Sequence, residues 1–103
     1  MTAPLVGTRV TLFDADHLPR EYVVVYVFRL IEGGERALVA SVLPDGDLGP
    51  IADRCIFRAD GGTCHWDAGR IVAPHIRRAA RIGAYSPQDR RRPRTSPRDQ
   101  LPL

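Results

Sequence analysis

The chain has 103 residues, a formal charge of +3, and all 15 of its Lys and Arg residues are arginine. That length predicts one domain and excludes large folds such as the (β/α)8 barrel, which needs about 250 residues. No run of about 18 apolar residues could span a membrane. The opening MTAPLVGTRV lacks the charged and long apolar regions of a secretory signal. The expected location is therefore cytoplasmic, or the virion if the source is a phage.

The missing lysines, beside abundant Arg, Ala, Gly and Pro, read first as GC-rich coding, as in a GC-rich bacterium or its phage. Arginine remains chemically distinct, because its planar fork grips phosphate or carboxylate through two bonds. Nine prolines and nine glycines favour short strands and turns. Phe13, Tyr22, Tyr26, Phe28, Phe57 and Trp66 precede residue 70, and only Tyr85 follows it, so the core is expected in the first part. Cys55 and Cys64 are expected as free thiols.

In chain order, residues 8–13 alternate as a strand. Asp14 to Pro19 reads as a loop, with Pro19 discouraging regular pairing. Residues 21–31 and 36–43 are dense in β-branched and aromatic types and flank Gly33-Gly34, which predicts a hairpin with a two-residue turn. That turn would pair Leu30 with Ala37, Phe28 with Val39, Tyr26 with Ser41 and Val24 with Leu43. Both hairpin faces are then mostly apolar, so the sheet must curl around a core and be covered outside, or join a partner. Residues 44–50 read as a loop, 54–58 as a strand, Asp60-Gly61-Gly62 as a second hairpin turn, 63–66 as the returning strand and 70–73 as a last strand. Pro74 to Gly83 reads as a short helix begun by the proline and stopped by the glycine. Its apolar face carries Ile76, Ala79 and Ala80, and its other face Arg77, Arg78 and Arg81. The segment SPQDRRRPRTSPRDQLPL is too polar and proline-rich to fold alone.

Charge is divided unevenly along the chain. Residues 1–69 hold six arginines and ten acids, a net of −4, whereas residues 70–103 hold nine arginines and two acids, a net of +7. An acidic folded part thus carries a basic arm made of Arg70, Arg77, Arg78, Arg81, Arg90, Arg91, Arg92, Arg94 and Arg98. Such an arm is expected to contact nucleic acid or an acidic protein surface.

Other sites are weaker. Cys55, Cys64, His65 and His75 lack the close ligand pairs of a structural zinc site, and Cys64 and His65 point to opposite strand faces. The Asp14/Asp16 and Asp45/Asp47 loops fit turn chemistry better than cation binding. The glycine pairs sit in hairpins and do not open helices, so no phosphate loop is expected. Tyr22, Tyr26 and Phe28 share one strand face, as a base-stacking platform or a core would require, and the core reading is preferred. Trp66 is the candidate for a partly exposed aromatic.

The reading is an all-β domain over residues 1–73, a small antiparallel barrel or strongly bent sheet of SH3-like size. A short basic helix at 74–84 and an Arg/Pro-rich tail at 85–103 follow. No catalytic residue, metal or cofactor is expected. The expected function is a non-catalytic adaptor in a larger assembly, associating with a protein partner or itself, with nucleic acid within reach of the arm and no membrane contact. The alternatives are a free-standing nucleic-acid-binding regulator and a small metal-dependent enzyme or enzyme accessory.

Overall fold

The computed structural model describes residues 2–59 and 61–83. Six strands precede one helix: β1 (Arg9–Phe13), β2 (Pro19–Arg29), β3 (Glu35–Val42), β4 (Leu48–Ile51), β5 (Cys55–Arg58), β6 (Cys64–Asp67) and α1 (Ala73–Arg81). All pairings are antiparallel. The sheet runs β1-β2-β3-β5-β6, with β4 also beside β3, and curls into a half-barrel. Its two ends are stapled where Trp66 Nε1 donates a hydrogen bond to the Phe13 carbonyl at 3.1 Å. Trp66 also meets Tyr22 edge-on at 5.3 Å, so the seam has an aromatic filling.

One turn design recurs. In each of four hairpins the residue just before the loop donates its N–H to the carbonyl four residues on, and its own carbonyl accepts from the residue three on. The pairs are Asp14/Leu18 with His17, Leu30/Gly34 with Gly33, Leu43/Asp47 with Gly46, and Ala59/Thr63 with Gly62. This is a three-residue loop, whose last residue takes the left-handed conformation. His17 (φ 61), Gly33 (φ 105), Gly46 (φ 87) and Gly62 (φ 88) hold that position.

The three-residue loop corrects the expected register of the central hairpin. Arg29 pairs with Glu35, Phe28 with Arg36, Val27 with Ala37 and Tyr26 with Leu38. The turn begins at Leu30, before the glycines, so every pairing moves by three positions. The register then shifts again between Val24 and Tyr26. Val25 is the extra residue of a bulge, which increases local twist. Because of it, Val24 and Val25 are both buried, at 1% and 4% exposure.

The two-faced apolar hairpin is satisfied by curling and by cover. Inside the curl, Val10, Leu12, Val24, Ala37, Val39 and Ile56 pack together. On the outer face, Val25, Phe28, Leu30, Leu38, Ala40 and Cys55 pack with Val72 and Ala79, and Ile76 joins them. Helix α1 therefore lies over the outside of the sheet as its cover. Pro74 is in its first turn, Ile82 caps its end, and Gly83 (φ 79) turns the chain away. Ala79 is buried, but Ala80, expected on the same face, is exposed.

Two further expectations are corrected. Residues 70–72 form no strand, because Gly69 (φ 91) turns the chain and Arg70 is drawn to Asp67 and Glu32. The loop expected over residues 44–50 instead yields β4 from Leu48, since the Asp45-Gly46 turn folds it back so that Val42 faces Leu48. Gly49 permits this close approach, for a Cβ there would collide with the Ser41 hydroxyl. Pro19, expected in a loop, opens β2, and the first residue of a strand is one of the few places that accept proline. The expected 85–103 tail lies outside the described residues.

Candidate functional site

Helix α1 buries Ala79 and packs Ile76 inward, which turns Arg77, Arg78 and Arg81 outward. Arg78 and Arg81 lie in the last turn, where cations complement the helix carbonyl end. These three arginines, with Arg29, His75, Tyr26, Val27 and Phe28, line a groove of about 600 Å³ between α1 and the second half of β2. One wall is a tight ring pair: His75 stacks on Phe28 with centroids 3.8 Å apart and planes 12° from parallel. Burial, then the charges of Arg78 and Arg70, push the His75 pKa below the ordinary histidine range, so the imidazole favours its neutral form.

The groove arginines differ from most others in how their charge is answered. Arg9 meets Glu21 at 3.1 Å, Arg20 meets Asp14 at 2.7 Å, and Arg54 meets Asp53 at 3.8 Å. Arg36 and Arg70 share Asp67, at 2.7 and 2.9 Å, and Arg70 also reaches Glu32 at 2.8 Å. Arg36 and then Arg70 lower the Asp67 pKa, although partial burial opposes them. Among the described residues Arg77, Arg78 and Arg81 have no carboxylate partner, and Arg29 has a loose one, Glu35 at 3.7 Å, comparable to the Arg54–Asp53 pair. Arg58 likewise has no ion pair among the described residues, but it lines a separate crevice beside β1.

The expected basic arm is thus divided. Arg77, Arg78 and Arg81 converge on one groove. Arg70 is engaged in the Asp67–Glu32 network, which ties the central hairpin tip to the start of the helix. Arg90, Arg91, Arg92, Arg94 and Arg98 lie outside the described residues.

The expected aromatic face does not form. The Val25 bulge separates Tyr22, which packs at the seam with Trp66, from Tyr26 and Phe28, which stack 6.4 Å apart on the helix side. Trp66 is half-buried, with the Arg54 guanidinium 4.3 Å from its ring centre.

The aspartate loops serve turns. Asp14 accepts from the Asp16 and Leu18 amides and from Arg20. The hydrogen bond from Arg20, then that from Leu18, hold its pKa low. Asp45 accepts from the Asp47 amide. Cys55 is buried on the helix side, and burial raises its pKa above the usual thiol range, which makes it a poor nucleophile. Cys64 lies at the other end of the β5–β6 ladder, about 10 Å along the strands, too far for a disulfide. Among the described residues no three His, Cys, Asp or Glu side chains gather as a metal site. No helix there is long and apolar enough to cross a membrane.

Sequence reasoning placed Arg77, Arg78 and Arg81 together but missed Arg29, His75 and Tyr26 as their neighbours. The available signal was the apolar outer hairpin face, which needed a cover or a partner: the helical segment expected from Pro74 was a candidate cover, and covering it brings residues 73–81 against β2. Comparison with known proteins finds no matching family model, no matching curated sequence and no matching solved structure.

Proposed function

We propose that the protein is a non-catalytic adaptor that holds an acidic protein partner in the arginine groove between α1 and β2, as one member of a larger assembly. The observation that carries this reading is the charge census. Among the described residues six arginines, Arg29 with Glu35 included, meet a carboxylate; of the four that do not, Arg58 stands apart beside β1, and Arg77, Arg78 and Arg81 gather around one cleft. Unanswered cations beside a groove attract and orient an acidic ligand.

Among the described residues the basic face is short, a scale that suits a protein segment better than a long nucleic acid. Nine helical residues span only about 13 Å. The rest of the domain, residues 1–69, has a net charge of −4, which repels a polyanion extending beyond the groove.

The test is fluorescence anisotropy with a short glutamate-rich peptide, across a salt series, on the full chain and on a variant carrying Arg77→Glu, Arg78→Glu and Arg81→Glu. The expected result is binding that weakens with salt and is lost in the variant. Equal binding by the two proteins contradicts the reading, as does clear preference for single-stranded DNA of matched charge.

A further inference from the structure

Strand β2 is longer than the partner on its outer side. β1 accompanies it from Pro19 to Val23, and the preceding residues add one more step, with the Val24 amide donating to Thr8 and the Gly7 amide donating to Val24. Beyond Val24, among the described residues, no strand lies along that edge through Arg29. On the inner side the Leu30 amide donates to Gly34, which makes these two a hydrogen-bonded pair. Antiparallel ladders alternate, so Phe28 with Arg36 and Tyr26 with Leu38 are also hydrogen-bonded pairs. Val27 and Arg29 are then the intervening residues, whose N–H and C=O groups point away from β3. Both residues line the arginine groove.

An unpaired edge is a template for another strand. Here the template is flanked by Arg29, Arg77, Arg78 and Arg81. These charges oppose a second copy, since pairing two β2 edges brings two arginine sets together. They also oppose the chain's own residues 84–103, which include Arg90, Arg91, Arg92, Arg94 and Arg98 against only Asp89 and Asp99. They suit an extended segment with acidic side chains at alternate positions, because alternate residues of an added strand face the same side.

We infer that the partner docks as an extended acidic strand added to the β2 edge at residues 25–29, its backbone pairing with Val27 and Arg29 and its carboxylates meeting the α1 arginines. This mode rests on the arginine-groove reading and specifies how the groove is filled. A nucleic-acid backbone has no N–H donors at the ladder's spacing and cannot complete it.

The test uses a synthetic peptide alternating Glu and Thr, and the same peptide N-methylated at every second residue along its pairing edge. Binding is compared on the full chain, on a Val27→Pro variant and on the triple Arg77→Ala, Arg78→Ala, Arg81→Ala variant. Val27→Pro removes a donor that β3 does not use, and edge strands tolerate proline there. The inference expects at least tenfold weaker binding for the N-methylated peptide and for Val27→Pro, and weaker, less salt-dependent binding for the arginine variant. If N-methylation or Val27→Pro leaves binding unchanged while the arginine variant loses it, strand addition is overturned and the electrostatic groove stands. If the arginine variant also binds normally, or the unmodified peptide fails to bind, both are overturned. The N-methylated peptide decides the matter even if Val27→Pro does not fold.

Discussion

His17 occupies, in the first hairpin, the position that the other three give to glycine. A non-glycine residue in the left-handed region costs about 1–2 kcal/mol, and His17 is exposed with φ 61. His17→Gly should therefore stabilise the fold by about 1 kcal/mol in denaturant unfolding, and an unchanged midpoint would show the turn to be relaxed already. Asp67 is the opposite case. It accepts from Arg36 at 2.7 Å and from Arg70 at 2.9 Å, and the Arg36 side chain is only 12% exposed. Asp67→Ala should cost about 2 kcal/mol, because it leaves a largely buried guanidinium without its carboxylate acceptor. A loss no greater than that of an exposed pair such as Arg9–Glu21 would mean that water replaces the carboxylate.

His75 gives the stability a pH signature. Its folded-state pKa is depressed, so the folded form binds fewer protons than the unfolded chain once pH drops into the histidine range. Stability is full above about pH 6.5 and falls on acidification. The groups around the ring are Arg70 and Arg78, with Glu32 and Asp67 lining the adjoining clefts. Asp14, Glu32 and Asp67 have lowered pKa values, so their stabilisation is lost in the same direction but only below about pH 4. His75→Phe keeps a ring against Phe28 and removes the first of these two declines. Persistence of that first decline in the variant would assign it elsewhere.

At the scale of elements, helix α1 divides its residues between packing and exposed charge. Ala79 and Ile76 attach it to the sheet, while Arg77, Arg78 and Arg81 make no ion pair among the described residues. Replacing all three arginines by alanine should leave thermal stability nearly unchanged, within about 0.5 kcal/mol, since alanine is the better helix former and no partner is orphaned. A large loss would mean that the arginines contribute to packing. The central hairpin shows what sequence could and could not supply. Its β-branched density identified β2 and β3, and its two apolar faces foretold both the curl and an outer cover. Register was not legible, because Gly33-Gly34 fits a two-residue turn as well as the three-residue loop that forms from Leu30. The Val25 bulge was hidden for a similar reason: in a run of four apolar residues, Val23 to Tyr26 aside from its last hydroxyl, no alternation marks the extra residue. β4 was masked by its Gly and Pro content, which the Asp45-Gly46 turn overrides.

For the whole molecule, the sum of +3 conceals an arrangement. Among the described residues an acidic half-barrel presents a basic groove, made where its covering helix meets the open end of β2. The arginine positions on α1 were legible in the sequence. Their meeting with Arg29, Tyr26 and His75 was not, because it depends on which face of the sheet the helix covers. On the proposed reading, partner binding is confined to this groove. Backbone amide NMR, during titration of the full chain with the alternating Glu/Thr peptide, tests it most directly. The account predicts shift changes clustered at residues 25–29 and 73–81, with Val27 and Arg29 among the largest. Changes centred on the β1–β6 seam, or confined to residues beyond Gly83, would contradict it.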